Sequence, residues 1–254
     1  AYAWVRDKMG TQSSQDKWSP EYQQTFERLL QIGAWEAANH LYANSPSQLR
    51  WRMDFVLKYS QLYLKYGYLA ESYRLARRLI NKMSRKDLSS APMQLYNVIY
   101  PTPHHDWVSQ QVQHTQVDPL FVIALMRQES IFDDQIFSPV GAAGLMQIMT
   151  YTATPLAEKE GIIQRYEHDL LRNPLMAIRL GSRYLKDLHK IWEGKYEYML
   201  ANYNAGPQPT RRWKNANKGR PDKLAFEHIT YWETRDYIKK VMGNYWNYQI
   251  LNTY

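Results

Sequence analysis

The side chain with the clearest chemical potential in this sequence is the carboxylate of Glu129. It occupies the next helical position of an apolar stripe formed by Val122, Leu125 and Met126. Burial disfavours the ionised form of a carboxyl group, so this position predicts a raised pKa and the role of a general acid. An ordinary helix end whose acid faces solvent fits the same spacing equally well.

Two signals predict the helix that carries this carboxylate. Asp118 can cap a helix with its side chain, and Pro119 suits the first helical position because the amide there makes no helical bond. After Ser130 the chain enters a glycine-bearing stretch at 138–144 and a short apolar run at 145–149. The acid is therefore expected between a helix end and a loop.

The sequence lacks the residue patterns that other common catalytic chemistries need. The seven histidines have no zinc-like spacing, and the sequence holds no HExxH motif, no Gly-x-Ser-x-Gly elbow and no phosphate-binding loop. Cysteine is absent, which excludes disulfides, thiolate zinc sites and a cysteine nucleophile. We therefore expect neither a metal nor a cofactor, and acid–base chemistry by carboxylates is what remains.

The second carboxylate that glycosidases usually need is not evident. Asp133 and Asp134 follow Glu129 closely, but beyond a helix end such residues are more typical of solvated loop acids or helix caps. The sequence thus offers one well-placed acid.

The charge of the chain is uneven. Its 254 residues allow one large domain or two smaller ones and carry a formal net charge of +8. Residues 1–100 hold 14 basic and 8 acidic side chains, against 18 and 16 in 101–254. This excess fits an anionic partner, either nucleic acid or an acidic cell-wall polymer, and fits a basic surface without a fixed partner as well. The sequence has no apolar run of membrane-spanning length, and its start at Ala1 suggests a processed or trimmed product.

The spacing of apolar residues, glycines and prolines predicts an all-α protein. Helices are expected at 20–33, 35–43, 47–66 and 69–83, and the turn glycines Gly33 and Gly67 stand 34 residues apart. That period is typical of tetratricopeptide-like hairpins, so residues 1–95 are predicted to form a region of stacked helical hairpins.

The second domain, residues 96–254, is also predicted to be helical, without a convincing strand. Residues 207–230 are rich in arginine, lysine and proline and are expected to form a basic loop that includes Arg211, Arg212 and Lys214. Capping, proline and glycine signals mark helices near the following positions: 107–114, 155–161, 173–194, 196–206 and 232 onward.

Four short motifs follow one another in this second domain. They are 127–130 (RQES), 138–149 (SPVGAAGLMQIM), 201–207 (ANYNAGP) and 233–237 (ETRDY). Their sequences, order and approximate spacing resemble the soluble lytic murein transglycosylases of glycoside hydrolase family 23. The resemblance implies a lysozyme-like α-helical catalytic domain, and residues 1–95 resemble, less closely, the helical linker region that precedes it in the large members.

The resemblance implies a lyase that cleaves the glycan strands of peptidoglycan without water. The bond is the β-1,4 link between N-acetylmuramic acid and N-acetylglucosamine, and the product carries a 1,6-anhydromuramic end. Glu129 would protonate the glycosidic oxygen, while the 2-acetamido oxygen of the substrate would stabilise the cationic centre. The ionised Glu129 would then take the proton of the C6 hydroxyl as that oxygen attacks C1. One acid that acts twice suits the lack of a second carboxylate.

The resemblance also implies substrate-binding roles around this acid. Hydrogen bonds to acetamido or muramoyl groups are implied for Ser138 and Gln147, and a hydroxyl contact with the acid or the substrate for Tyr203. Asn204 is implied to fix the turn near the cleft. The full set of implied positions is Ser138, Gln147, Met149, Tyr203, Asn204, Glu233 and Tyr237.

The implied partner is the glycan strand and not nucleic acid, and the implied location is the periplasm or cell envelope. Whether proteins of cell-wall synthesis or secretion bind the chain stays open. Thr150 departs from the family pattern, which usually has proline there, and a change in loop stiffness is expected rather than a loss of activity. Little of the long upstream superhelix of the large members would fit before residue 20, which is consistent with a fragment.

Two alternatives remain at this point. The first is a hydrolytic muramidase of the same fold, in which Asp133 or Asp134 positions a water molecule. The second is a non-catalytic scaffold whose helical domain only binds glycan.

Overall fold

A computed structural model describes residues 20–162, 168–219 and 228–252 of the chain. These residues form helices and one small sheet, so the all-α prediction is confirmed. The chain divides into two compact units, 1–101 and 102–254. The predicted boundary at 95/96 falls inside the helix Met93–Ile99, which packs on helices of the first unit. None of the helices in the described ranges is long and apolar enough to cross a membrane.

The first unit contains the two predicted helical hairpins. The helices of this unit are α1 (Pro20–Gln31), α2 (Trp35–Ala43), α3 (Met53–Lys65), α4 (Leu69–Ile80), α5 (Arg85–Ser89) and α6 (Met93–Ile99). Helix α1 pairs with α2, and α3 pairs with α4. The repeated turn glycines Gly33 and Gly67 both have positive φ, +81° and +84°, which glycine adopts without strain.

Aromatic side chains fill the core between these hairpins. Phe26 of α1 meets Tyr59 of α3 edge to face, with ring centroids 4.5 Å apart, and both rings are fully buried. Helix α3 begins at Met53 and not near residue 47 as predicted, because the chain first makes turns closed by bonds from Leu49 N–H to the Pro46 carbonyl and from Arg52 N–H to the Leu49 carbonyl.

The second unit surrounds one buried helix. Its elements are α7 (His105–Val112), α8 (Pro119–Glu129), β1 (Ala142–Ala143), β2 (Ile148–Met149), α9 (Thr150–Lys159), a 3₁₀ turn (His168–Arg172), α10 (Pro174–Ile191), α11 (Tyr196–Ala205), α12 (Pro207–Ala216) and α13 (Trp232–Leu251). The buried helix is α8, which packs along α13, and its residues 121–126 are fully buried on every side rather than along one stripe.

The start of α8 is held as the sequence predicts. The Asp118 carboxylate accepts the Leu120 N–H at 2.8 Å, which caps the helix, and it also accepts the Tyr245 hydroxyl of α13 at 2.7 Å. The ring of Phe121 stacks on Tyr196 of α11 with centroids 4.0 Å apart. The helix that ends at the candidate acid is therefore fixed at its start by both a cap and tertiary contacts.

A tight turn at residues 144–147 joins the two short strands. Strands β1 and β2 pair antiparallel, with Ala142 opposite Met149 and Ala143 opposite Ile148. Within the turn Gly144 has φ +69°, and a Cβ there would lie 1.8 Å from the Leu171 carbonyl oxygen. The glycine thus serves both the backbone conformation and the close approach of the 3₁₀ turn.

Two predictions about loops and short helices are wrong. Residues 207–216 form helix α12 and not a basic loop, because Pro207 suits the first helical position and Thr210 and Trp213 give the polar segment a buried face. Helix α9 begins at Thr150 and contains Pro155, whose missing N–H removes only the helical bond to the Tyr151 carbonyl in the first turn. The remainder of the predicted loop, at 220–227, lies outside the described residues.

Gly144→Ala is expected to lower the free energy of unfolding by about 3 kcal/mol or more, because the added Cβ would meet backbone atoms at a positive φ. The matched control is Gly141→Ala, which also has positive φ (+90°) but has no heavy atom within 4 Å of the added Cβ. The control should cost about 1 kcal/mol, the conformational penalty alone. Equal losses for both variants in urea denaturation would contradict the close approach to Leu171.

Candidate active site

Glu129 is the last residue of α8, and the next residue anchors the helix end. The Ser130 N–H donates to the Met126 carbonyl at 3.0 Å, and the Ser130 hydroxyl donates to the Leu145 carbonyl at 2.9 Å. Ser130 is buried, while the Glu129 side chain is partly exposed. The anchoring therefore leaves the carboxylate at the edge of the protein interior, where a ligand can reach it.

The carboxylate of Glu129 is held by a tyrosine from α13. The Tyr237 hydroxyl donates to Glu129 Oε1 at 2.5 Å, although the two residues are 108 positions apart in sequence. Burial raises the pKa of Glu129 to about 7, and the hydrogen bond from Tyr237 opposes that rise. The raised pKa is the direction that the apolar spacing predicts, and both protonation states are therefore accessible near neutral pH.

Tyr203 lies on α11, which packs against the helix of Tyr237. Its hydroxyl donates to the Met146 carbonyl at 2.7 Å, so the structure assigns its proton to the turn before β2. Burial raises the pKa of Tyr203 well above 10, and the charge of Glu129 adds to the shift. The carboxylate thus acts electrostatically on the phenol, and a contact of the Tyr203 oxygen with substrate stays a prediction.

Ser138 and Gln147 stabilise the segment between α8 and β2 by hydrogen bonds to its backbone. Ser138 Oγ accepts the Ala142 N–H at 2.8 Å, and the side-chain nitrogen of Gln147 donates to the Gly144 carbonyl at 3.0 Å and to the Ile136 carbonyl at 3.2 Å. Both side chains are partly exposed, so they stabilise the loop while remaining open to a ligand. Gln147 adopts φ +45°, a strained conformation of the kind that is found at functional sites.

Asn204 and the start of α13 form one connected corner. The hydroxyl of the buried Thr234 donates to Asn204 Oδ1 at 2.6 Å, which joins the end of α11 to the first turn of α13. Glu233, the neighbour of Thr234, is exposed in that first turn. Because Tyr203 precedes Asn204 and Tyr237 lies one turn after Glu233, this link sets the two tyrosines relative to each other.

Sequence reasoning missed two residues of the site. Tyr184 of α10 places its ring 5.4 Å from that of Tyr203, and its hydroxyl accepts a bond from Asn202 at 3.0 Å. The available signal was its position one helical turn after Gly181, on the stripe that faces the core. Thr234 carried no local signal, since its partner comes from another helix.

The remaining predicted residues take loop and surface positions. Asp133 accepts the Gln135 N–H at 3.0 Å, and Asp134 accepts the Gln135 side-chain amide at 2.9 Å. Partly buried Met149 is in β2; Arg211 and Arg212 are exposed on α12, where Lys214 pairs with Glu193 at 3.0 Å. In the part of the chain that the structure describes, no group of three or more histidine, aspartate or glutamate side chains is placed to hold a metal ion.

The sequence of this unit matches a known family. Residues 106–226 match the model of the transglycosylase SLT domain, a segment that contains Glu129 and Tyr203 and ends before Tyr237. The chain is 34% identical over 145 residues to the soluble lytic murein transglycosylase of Escherichia coli, and 31% identical over 155 residues to a putative one from Haemophilus influenzae. These alignments cover 57% and 59% of this chain but only 22% and 26% of the relatives, so the chain spans a small part of their length.

Solved structures show the same fold. The structural match to the 70 kDa soluble lytic transglycosylase of Escherichia coli covers 95% of this chain and 55% of the Escherichia coli chain, with a TM-score of 0.58 and 20% identity. The match to an inactive mutant of the lytic transglycosylase Slt from Pseudomonas aeruginosa covers 89% of this chain and 51% of the Pseudomonas aeruginosa chain, with a TM-score of 0.56 and 21% identity. The likeness is one of fold and agrees with the predicted lysozyme-like helical architecture. The sequence of the second unit is thus similar to the transglycosylase SLT domain and to soluble lytic murein transglycosylases, and its fold is that of the solved ones.

Proposed function

We propose that this protein is a lytic murein transglycosylase that acts on the glycan strands of peptidoglycan in the periplasm or cell envelope. It cleaves the β-1,4 bond between N-acetylmuramic acid and N-acetylglucosamine and forms a 1,6-anhydromuramic end. The observation that carries the proposal is the Glu129 carboxyl group, partly exposed, hydrogen-bonded by Tyr237 and with its pKa raised to about 7. The match of residues 106–226 to the transglycosylase SLT domain, and the similarity to soluble lytic murein transglycosylases, support the assignment of the substrate class.

The first half of the reaction needs Glu129 as an acid. Its proton passes to the glycosidic oxygen, the bond from C1 to that oxygen breaks, and N-acetylglucosamine leaves with a free hydroxyl. The positive charge at C1 is stabilised by the acetamido oxygen of the same muramic residue. A pKa near 7 supports this step, because an ordinary carboxyl group would be ionised at neutral pH.

The second half needs the same group as a base. The ionised Glu129 takes the proton of the C6 hydroxyl while that oxygen forms a bond to C1, so the acid is regenerated and no water is consumed. The Tyr237 hydroxyl stabilises the carboxylate between the two steps, since it donates to Oε1. Burial and this hydrogen bond act in opposite directions on the pKa and leave it where one residue can serve in both steps.

The surrounding residues are proposed to hold the sugars. The Ser138 hydroxyl and the Gln147 amide lie on the ordered loop and would bond acetamido or muramoyl groups, and Met149 would line the subsite beside them. Tyr203 would contact the substrate through its oxygen, whose proton is held by the Met146 carbonyl. Asn204 would act mainly through its bond to Thr234, which sets the corner of the cleft.

The distribution of carboxylates favours transglycosylation over hydrolysis. Asp133 and Asp134 are both bonded to Gln135 within their own loop, as expected of loop acids. An inverting or retaining hydrolase requires a second carboxylate to activate water or to attack C1. A nucleophile supplied by the sugar removes that requirement.

Glu129→Gln is expected to reduce lysis of isolated sacculi by about 10²–10⁴-fold while glycan binding remains, because the amide keeps the shape but transfers no proton. Asp133→Asn is the matched control, since it removes a nearby carboxylate that the proposed reaction does not use. Mass spectrometry of sacculi digested by the unaltered chain should show muramic ends that are lighter than hydrolytic ends by one water. Hydrolytic ends alone, or lysis lost in Asp133→Asn and retained in Glu129→Gln, would contradict the proposal.

Glu129→Gln is also expected to stabilise the fold at neutral pH. Below about pH 4.5 the carboxyl is protonated in both the folded and the unfolded chain; as pH rises towards 7 only the unfolded chain loses the proton, so the free energy of unfolding falls. The amide of the Glu129→Gln variant does not titrate, so its free energy of unfolding does not fall in this way. Its advantage should grow from near zero at pH 4 to the order of 1–3 kcal/mol at pH 8 in urea denaturation. An advantage that does not vary with pH would show that the pKa is not raised.

Tyr237→Phe is expected to move the pH dependence of the rate. Activity should fall as pH rises through about 7, where Glu129 loses its proton, and removal of the Tyr237 hydrogen bond should raise that pKa and shift the fall to higher pH. Tyr203→Phe is the matched control, because its hydroxyl bonds the Met146 carbonyl and not the carboxylate. The control should show a partial loss of rate without the shift. The measurement is kcat/KM on soluble glycan strands between pH 5 and 9.

A further inference from the structure

Tyr151 is a large aromatic residue that the proposed reaction does not use. Its side chain is 75% exposed in the first turn of α9, two residues after Met149 of β2. It follows Thr150, the position where the chain departs from the family pattern. Exposure of a whole tyrosine ring contributes little to folding, so packing does not account for the residue.

The helix of Tyr151 packs against a helix that carries a tyrosine of the candidate site. Helix α9 packs on α10, and the Tyr184 ring of α10 lies 5.4 Å from that of Tyr203. Burial raises the pKa of Tyr184 to about 12, and the phenol of Tyr151 adds to that rise, which agrees with the packing of the two helices. Tyr151 is thus an exposed ring on an element that adjoins the candidate site.

We propose that Tyr151 is a stacking surface for a hexosamine ring of the glycan strand, outside the two sugars that flank the cleaved bond. The inference rests on the proposed function for the class of its ligand. Tyr151 follows Met149, the proposed subsite residue, by two positions, so an extended sugar chain that leaves that subsite would meet the exposed ring. Tyr151 would thereby favour long strands over short fragments.

The chemistry of the tyrosine ring suits a sugar. Its face carries partial negative charge and packs against the C–H groups of a pyranose, while its hydroxyl remains in water or bonds a sugar hydroxyl. Only two side-chain torsions are fixed on binding, so the loss of conformational entropy is small. The exposed ring therefore supplies contact area near Met149 without a charge that would bind other anionic polymers.

The test measures binding in the Glu129→Gln background, where the glycan is not cleaved. Titration calorimetry is carried out with a disaccharide and a hexasaccharide of alternating N-acetylmuramic acid and N-acetylglucosamine. Tyr151→Ala should weaken binding of the hexasaccharide about tenfold and leave the disaccharide unchanged. Tyr151→Phe and Tyr151→Trp should retain the affinity for the hexasaccharide, because each keeps an aromatic face.

The matched control is Trp246→Ala, which removes an exposed aromatic ring (58% exposed) from α13, more than two helical turns beyond Tyr237. It should change neither affinity. The inference is overturned if Tyr151→Ala leaves hexasaccharide binding intact, or if it weakens both oligosaccharides equally. Failure of the proposed function is read separately, from hydrolytic ends in the sacculus digest of the unaltered chain, an outcome that the binding data do not affect.

Discussion

The hydrogen bond between Tyr237 and Glu129 depends on the packing of two antiparallel helices, and the rest of the second unit depends on the same packing. Helix α8 is buried on all sides, so the end that carries the acid has little freedom to move. Further polar links join it to α13: Asp118 accepts the Tyr245 hydroxyl at one end, and nearer the acid the Asn244 side chain accepts from the Arg127 guanidinium and donates to the Ala124 carbonyl. Such links fix the register of the two helices, and the register sets the position of the phenol relative to the carboxylate.

The same burial that positions Glu129 also opposes its ionisation. The apolar residues of α8 stabilise the fold by their removal from water, and the carboxyl group at the end of that helix is desolvated as a consequence. The Tyr237 hydroxyl offsets part of this effect. The pKa near 7 is therefore a balance between burial, which raises it, and the hydrogen bond, which lowers it, and neither can change without moving the protonation state of the acid.

Local signals account for what the sequence predicts correctly, and tertiary contacts account for what it does not. Capping by Asp118, the start of α10 after Asn173 and the two glycine turns of the hairpins follow from short-range backbone chemistry, and the structure confirms them. The bond to Tyr237 joins residues 108 positions apart, and only the family resemblance indicated that tyrosine before the structure did. Helix α12 was mistaken for a loop because its polar composition hides the one face that Thr210 and Trp213 bury.

The degree of burial determines what each of these tyrosines can do. Tyr237 is buried and meets the carboxylate, so its hydroxyl acts on the protonation state of the acid. Tyr203 is partly exposed and gives its proton to the backbone, which leaves its oxygen free to accept a hydrogen bond. Tyr151 is largely exposed, so under the proposal its ring face rather than its hydroxyl is what a strand would meet first. One side-chain type would thus serve proton control, positioning and sugar contact, because the three tyrosines differ in desolvation.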